Sequence, residues 1–188
     1  MLCLSLFTAI LYGAFTATLS LLPFVLINGV HLSGLVAGLA FIPLQVLIAM
    51  VSPMAGILCR RFGHSVPLAA GAFITGLGCA AALRIGLTAT YWDAVFPAVV
   101  LVALGMSLVL APMTTLAITS VDTAHAATAS GFNGALSRAG AMAAVALLGS
   151  VLQGGGQGLI SHFHTAMGVC AAACVVACVV ALFIPPET

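Results

Sequence analysis

Apolar runs of about twenty residues alternate along the chain with short clusters of Gly, Pro, His or charge, and these clusters predict where each run ends. Six runs result, at about 4–27, 35–58, 66–85, 94–117, 130–152 and 165–184. They are separated by Asn28-Gly29-Val30-His31, by Arg60-Arg61-Phe62-Gly63-His64, by the stretch from Arg84 to Asp93, by that from Thr119 to Thr128, and by Gly154-Gly155-Gly156-Gln157-Gly158, with Pro185-Pro186-Glu187 after the last. A helix needs about 20 apolar residues to cross a bilayer. The runs therefore predict an all-α membrane protein of six transmembrane helices in a single domain, 1–188. Strands are excluded because an open sheet edge in hydrocarbon leaves backbone groups unsatisfied, and because period-two alternation is absent.

Composition strengthens this reading. Hydrophobic residues make up 63% of the 188 positions and charged ones 4%, against roughly a quarter in a soluble domain. There is no lysine, and mean hydropathy is +1.33. A nucleic-acid partner, a cytosolic enzyme and a disordered chain are excluded on these grounds, and the lipid bilayer is the first partner implied. Placing Arg60 and Arg61 in the cytoplasm by the positive-inside rule puts both termini inside, with Arg84, His162 and His164 toward the outside. No Lys or Arg precedes Arg60, so the first run lacks the basic flank of a signal peptide and reads as an internal start.

Polar residues inside the runs are the candidates for function, because a charge at the centre of a span costs roughly 2.5 to 3.5 kcal/mol even on insertion scales. Arg138 is the one charge embedded in a run, and a helix beginning near 130 would hold it about 10 Å inside the membrane edge, within reach of snorkelling. Asn133 and Ser137, four residues apart, make a polar stripe beside it and suggest a hydrated face. Gln45 follows Pro43 in the second run, where it either faces a cavity or bridges to a neighbouring helix. Met106 and Ser107, with Phe41, are read either as an adaptable apolar lining or as packed core. Pro23, Pro43, Pro53 and Pro112 would free the carbonyls of Leu19, Leu39, Ala49 and Leu108, as in a bundle of kinked, moving helices.

Other chemistry finds less support. Cys170, Cys174 and Cys178 lie on one helical face, where small apolar packing is favoured over soft-metal binding, and Cys3, Cys59 and Cys79 show no paired spacing. His162 and His164 fall in the Gly-rich connection, where a solvated loop is favoured over metal binding at the outer surface. No zinc motif, phosphate loop or cofactor motif is present. An intramembrane serine protease would need a histidine base facing Ser107, and no run contains a histidine. Neither catalytic residues nor a cofactor is therefore expected.

The stretch Gly56-Ile57-Leu58-Cys59-Arg60-Arg61-Phe62-Gly63-His64 resembles the major facilitator superfamily. There a Gly-x-Leu-x-Asp-Arg-x-Gly loop joins the second and third helices of each six-helix half. Gly56, Leu58, Arg61, Phe62 and Gly63 match it, and Arg60 stands where the acidic residue usually is. Tyr91-Trp92 with Pro97, the stretch Gly105 to Pro112, Ala129-Ser130-Gly131-Phe132-Asn133 with Arg138 and Gly140, and Leu148-Gly149-Ser150 look like the carboxy-terminal half of fourteen-helix drug:proton antiporters of the QacA/EmrB type. The resemblance implies alternating access between two six-helix halves, a small hydrophobic or cationic substrate exchanged for protons, and a second half on the same or another chain. It implies closure controlled by Gly56, Arg60, Arg61 and Gly63, and a cavity lined by Gln45, Asn133 and Arg138. The family's proton-coupling acid and Pro-Gly antiporter motif belong to the other half. A non-transporting membrane interaction protein, or a truncated transporter without activity, is the alternative.

Overall fold

The structure, a computed structural model, describes residues 2–28, 33–86, 91–119, 126–152 and 157–183. Seven α-helices account for nearly all of them: α1 (Leu2–Asn28), α2 (Gly34–Leu39), α3 (Ile42–Phe62), α4 (Ser65–Ala82), α5 (Phe96–Thr119), α6 (Ala126–Leu152) and α7 (Gln157–Leu182), with a π-helical turn, Tyr91–Val95, leading into α5. Five stretches, Cys3–Asn28, Gly34–Phe62, Ser65–Ala82, Tyr91–Met113 and Gly158–Leu182, are long and apolar enough to cross a membrane. The 27-residue α6 is the sixth long helix, and the polar and charged connections Asp122 and Gly29 to His31 lie outside the described residues.

The second run is not one helix. It breaks at Ala40 and Phe41, so Pro43 does not kink a continuous helix but occupies the first turn of α3. That position suits proline, because its missing N–H would have had no partner there. The backbone crosses the break through short turns, from Phe41 N–H to the Gly38 carbonyl and from Leu44 N–H to that of Phe41. Pro23, Pro53 and Pro112 do lie inside helices α1, α3 and α5.

The last helix also starts earlier than its composition suggests. Helix α7 begins at Gln157, eight residues before the expected 165, and so takes in His162 and His164. The cause is the run of buried positions Leu159, Phe163, Ala166, Met167, Cys170, Cys174 and Ala177, a helical stripe that starts immediately after Gly158. His162 and His164, two positions apart, leave the helix in different directions, the first exposed and the second half-buried.

Helix pairing has an internal symmetry. The strongest partners are α1 with α6, α3 with α5, α4 with α7, α4 with α5, and α1 with α7. Exchanging α1 for α5, α3 for α6 and α4 for α7 maps this set onto itself. The bundle is thus two three-helix repeats, and an odd number of crossings per repeat inverts the second relative to the first.

Close packing follows from small residues, as it must where lipid is as apolar as any side chain. On the α4–α5 seam a Cβ at Gly71 would lie 2.5 Å from Val109 and 2.6 Å from the Gly105 carbonyl, and one at Gly78 would lie 2.6 Å from Val102. Gly13 and Gly140 bring α1 and α6 equally close. Buried hydroxyls are satisfied within their own helices: Thr18, Thr75 and Ser107 donate to Ala14, Gly71 and Ala103 at 2.9, 2.8 and 2.6 Å. Cys79 and Cys174 are fully buried in the same core, with the Cys79 thiol 3.6 Å from Thr18 Oγ1, and all six cysteines are free.

Candidate functional site

Helices α3 and α6 hold equivalent places in the two repeats, α3 leaning on α5 and α6 on α1. Their outer faces stay open. Only 17% of the apolar window through α2 and α3 is buried, the least of the five spans, so Met50, Met54 and Ile57 are exposed there. Phe132, Met142 and Val145 are exposed on α6.

Of the polar residues of α6, Arg138 faces this open side. Because α6 starts at Ala126 rather than near 130, Arg138 is the thirteenth of 27 residues, about 18 Å along the helix instead of near its end. Its side chain is exposed and lines a groove of about 540 Å3 with Gly131, Gly134, Ala135, Ala139 and Met142. Gly131 and Gly134 have nothing within 4 Å of a Cβ, so the floor of the groove is backbone and small side chains. Asn133 and Ser137 are half-buried beside it, Ser137 donating to the Asn133 carbonyl at 2.8 Å. The fully buried Thr8 of α1 donates to Asn133 Oδ1 at 2.9 Å and lies 3.4 Å from Met113 Sδ of α5. Three helices thus converge on one polar contact under the groove.

The other expected lining residues are placed differently. Gln45 is exposed on α3, which packs against α5 rather than α6. Phe41 caps α3 at the helix break and packs partly against the core. Met106 and Ser107 have no exposed surface and sit in the interior of the bundle.

At the end of α3 the turn residues do separate jobs. Gly63 has φ 77° and ψ 175°, a region open essentially to glycine alone, which lets α3 pass into α4 through only Gly63 and His64. Arg60 and Arg61 occupy the last turn of α3, where cations complement the helix dipole. The Arg61 guanidinium lies 5.4 Å over the Phe62 ring. Arg60 points elsewhere: with Gly56, Cys59 and His64 it lines a cavity of about 260 Å3 closed on the α5 side by Ala111, Pro112 and Thr115.

Two contacts at the opposite end of the bundle escaped sequence reasoning. Tyr91 donates its hydroxyl proton to the Ala40 carbonyl at 3.0 Å, satisfying an acceptor that the break between α2 and α3 leaves over. His164 Nε2 lies 2.8 Å from the Ile85 carbonyl and ties α7 to the segment following α4. The only advance signal for either was an aromatic cluster at a run boundary, where Trp92 stacks near Phe96 with ring centroids 5.2 Å apart. Asp93, in the same turn, is the single acidic residue among those described. Among the described residues no cluster of three or more His, Cys, Asp or Glu could hold a metal ion.

Comparison with known proteins adds three findings. The sequence profile described as Major Facilitator Superfamily matches residues 3–188. The chain is 37% identical over 122 residues to the "Multidrug resistance protein Stp" of Mycobacterium tuberculosis, in both strain CDC 1551 / Oshkosh and strain ATCC 25618 / H37Rv. That match takes in 62% of this chain and 21% of the relative, so the chain corresponds to only about a fifth of the relative's length. Among solved structures, the fold resembles a crystal structure of the peptide transporter POT, an E310Q mutant in complex with alafosfalin, with a TM-score of 0.77 and 19% identity over 96% of this chain and 37% of that one.

Proposed function

This chain belongs to the Major Facilitator Superfamily, and from that premise we propose that it is the carboxy-terminal six-helix half of a drug:proton antiporter of the fourteen-helix type. Its substrates are small hydrophobic or cationic compounds, moved outward across the bacterial plasma membrane by alternating access. Both termini lie in the cytoplasm, and the open faces of α3 and α6 meet a second six-helix half. The fold and the family are those of transporters, not of an enzyme.

The observation that carries this reading is the exposed Arg138 midway along α6, above the Thr8–Asn133 contact. A membrane helix keeps an arginine at such a place when the charge faces a hydrated cavity rather than lipid. The multidrug-resistance relative supports the substrate class. In alternating access each half moves largely as a rigid body about a central site. Here the glycine seams of α4–α5 and α1–α6 supply the rigidity, Arg138, Asn133, Ser137 and Gln45 the polar lining, and the Gly56–Gly63 turn with Arg60 and Arg61 the closure at the cytoplasmic face.

Proteoliposomes holding the chain together with a second six-helix half, energised by a proton gradient, test this directly. A lipophilic cationic dye should accumulate on the trans side, and Arg138→Ala and Gln45→Ala should reduce the rate while preserving assembly. Dye movement unaffected by both variants, or absent from well-assembled unsubstituted protein, would refute the assignment and leave a membrane interaction protein.

A further inference from the structure

The cavity at the end of α3 is separate from the Arg138 groove, and the transport reading, which uses Gly56 and Arg60 as parts of the closing turn, gives its interior no role. Its walls are apolar or small, formed by Gly56 on α3 and by Ala111 and Pro112 on α5. A Cβ at Gly56 would meet nothing within 4 Å, so the α3 wall is open at that point. Arg60 and His64 also line it, with Thr115 on the α5 side. His64 is also the capping residue of the 18-residue α4, whose first turn places positive partial charge beside the same cavity. Pro67 is the third residue of α4, so this helix start has one N–H fewer to satisfy, and it lies at the boundary of an apolar span.

Among the described residues, Asp93 is the one acidic group that could offset the charge at this cavity. The whole sequence has three acidic residues. Asp93 stands at the start of α5 and Thr115 is 22 positions further on, about 33 Å away along the helix. Among the described residues no carboxylate therefore reaches Arg60. Ile57, about 100° round α3 from Gly56, is 68% exposed and offers an apolar track beside the cavity.

The geometry points to a binding site for the phosphate headgroup of an anionic membrane lipid. Arg60 and the His64 N–H hold the phosphate, glycerol and the upper acyl carbons fill the space against Gly56, Ala111 and Pro112, and the remaining chain runs down past Ile57. Arginine matches phosphate oxygens with a planar fork of donors. Basic pockets between spans at a membrane surface are where anionic headgroups gain most from the local field. The site lies apart from the Arg138 groove and does not depend on what the protein transports.

Native mass spectrometry of the full chain, purified in mild detergent and offered equal amounts of dioleoyl-phosphatidylglycerol and dioleoyl-phosphatidylcholine, reads the preference. Phosphatidylglycerol should be retained in excess, with a contribution of roughly fivefold per basic side chain. Arg60→Gln with His64→Ala should bring the ratio close to one, while Arg84→Ala, a cation at the other end of the bundle, should leave it unchanged. If the double variant does not purify, Arg60→Gln alone reads the same contrast. Millimolar inorganic phosphate should not displace the lipid; full displacement would show a free-phosphate site and overturn the lipid assignment. Asp122→Asn should preserve the preference. A preference seen only in that variant would show that the counter-ion is the protein's own, and equal retention of the two lipids by the unsubstituted chain would end the proposal.

Discussion

Thr8 of α1 and Asn133 of α6 meet at 2.9 Å across the helix interface that Gly13 and Gly140 also draw together. The Thr8 hydroxyl also lies 2.8 Å from the Leu4 carbonyl, so it is never without a partner when Asn133 is removed. The contact consequently orients the amide more than it holds the helices together. A double-mutant cycle with Thr8→Val and Asn133→Ala, read by reversible unfolding in mixed micelles, should give a coupling of about 0.6 kcal/mol and no more than about 1.7. A value above that ceiling would mean that the pair acts as a structural clamp.

Glycine at 140 is required by contact rather than by backbone conformation. A Cβ there would collide with the Ala9 carbonyl of α1, whereas one at Gly134, less than two turns earlier on the same helix, meets nothing. Gly140→Ala should therefore destabilise by about 1–3 kcal/mol, the usual cost of overpacking. Gly134→Ala should be neutral or stabilising by up to about 1 kcal/mol through helix propensity. Thermal unfolding of the two variants side by side decides the point, and equal effects would refute the tight α1–α6 seam.

The hydroxyl of Tyr91 holds the Ala40 carbonyl at the joint between α2 and α3. Tyr91→Phe keeps the ring against Trp92 and Phe96 and removes only that bond, at a cost of about 1 kcal/mol. Amide hydrogen exchange should then rise in α2, Gly34–Leu39, with little change in α4. Unaltered exchange in α2 would show that the six-residue helix is held by its packing on α1 alone.

Gly63 is the case where backbone conformation decides. At φ 77° and ψ 175° an L-residue is strained by about 1–3 kcal/mol. Gly63→Ala should lower stability by that amount and shift Arg60 relative to His64, since the turn between their helices is only two residues long. Cysteine cross-linking from α3 to α4, compared with and without the substitution, would reveal the shift; an unchanged pattern and an unchanged melting temperature would contradict it.

The helical fold and membrane character were legible because uninterrupted apolar length is a strong signal, and nothing in runs such as Leu4 to Ile27 competes with it. The joint at Ala40 was not, since Pro43 reads equally well as a kink in a long helix or as the first turn of a new one, and only the Tyr91 hydroxyl distinguishes them. The early start of α7 was hidden by Gly and His, residues that look like loop until Leu159, Phe163 and Met167 are seen to fall on one buried stripe. Arg138 could be singled out as unusual from sequence, but its depth depended on a helix start that Ala126 and Ala127 do not announce. Thr8 passed unnoticed because a lone threonine in an apolar run commonly satisfies itself on its own backbone.

The exchange of partners between the two repeats also governs the order in which the protein can be made. Helix α1 finds its principal neighbours, α6 and α7, at the far end of the chain, and α3 must wait for α5. As α1 to α4 enter the membrane, Thr8, Gly13 and the α3 face that will meet α5 therefore lack their partners within this bundle, and neither repeat can be completed before the other has begun. Assembly is in effect a single late event, committed when α6 and α7 arrive, and a ribosome that stalled before Ala126 would leave an exposed set of helices rather than half a bundle.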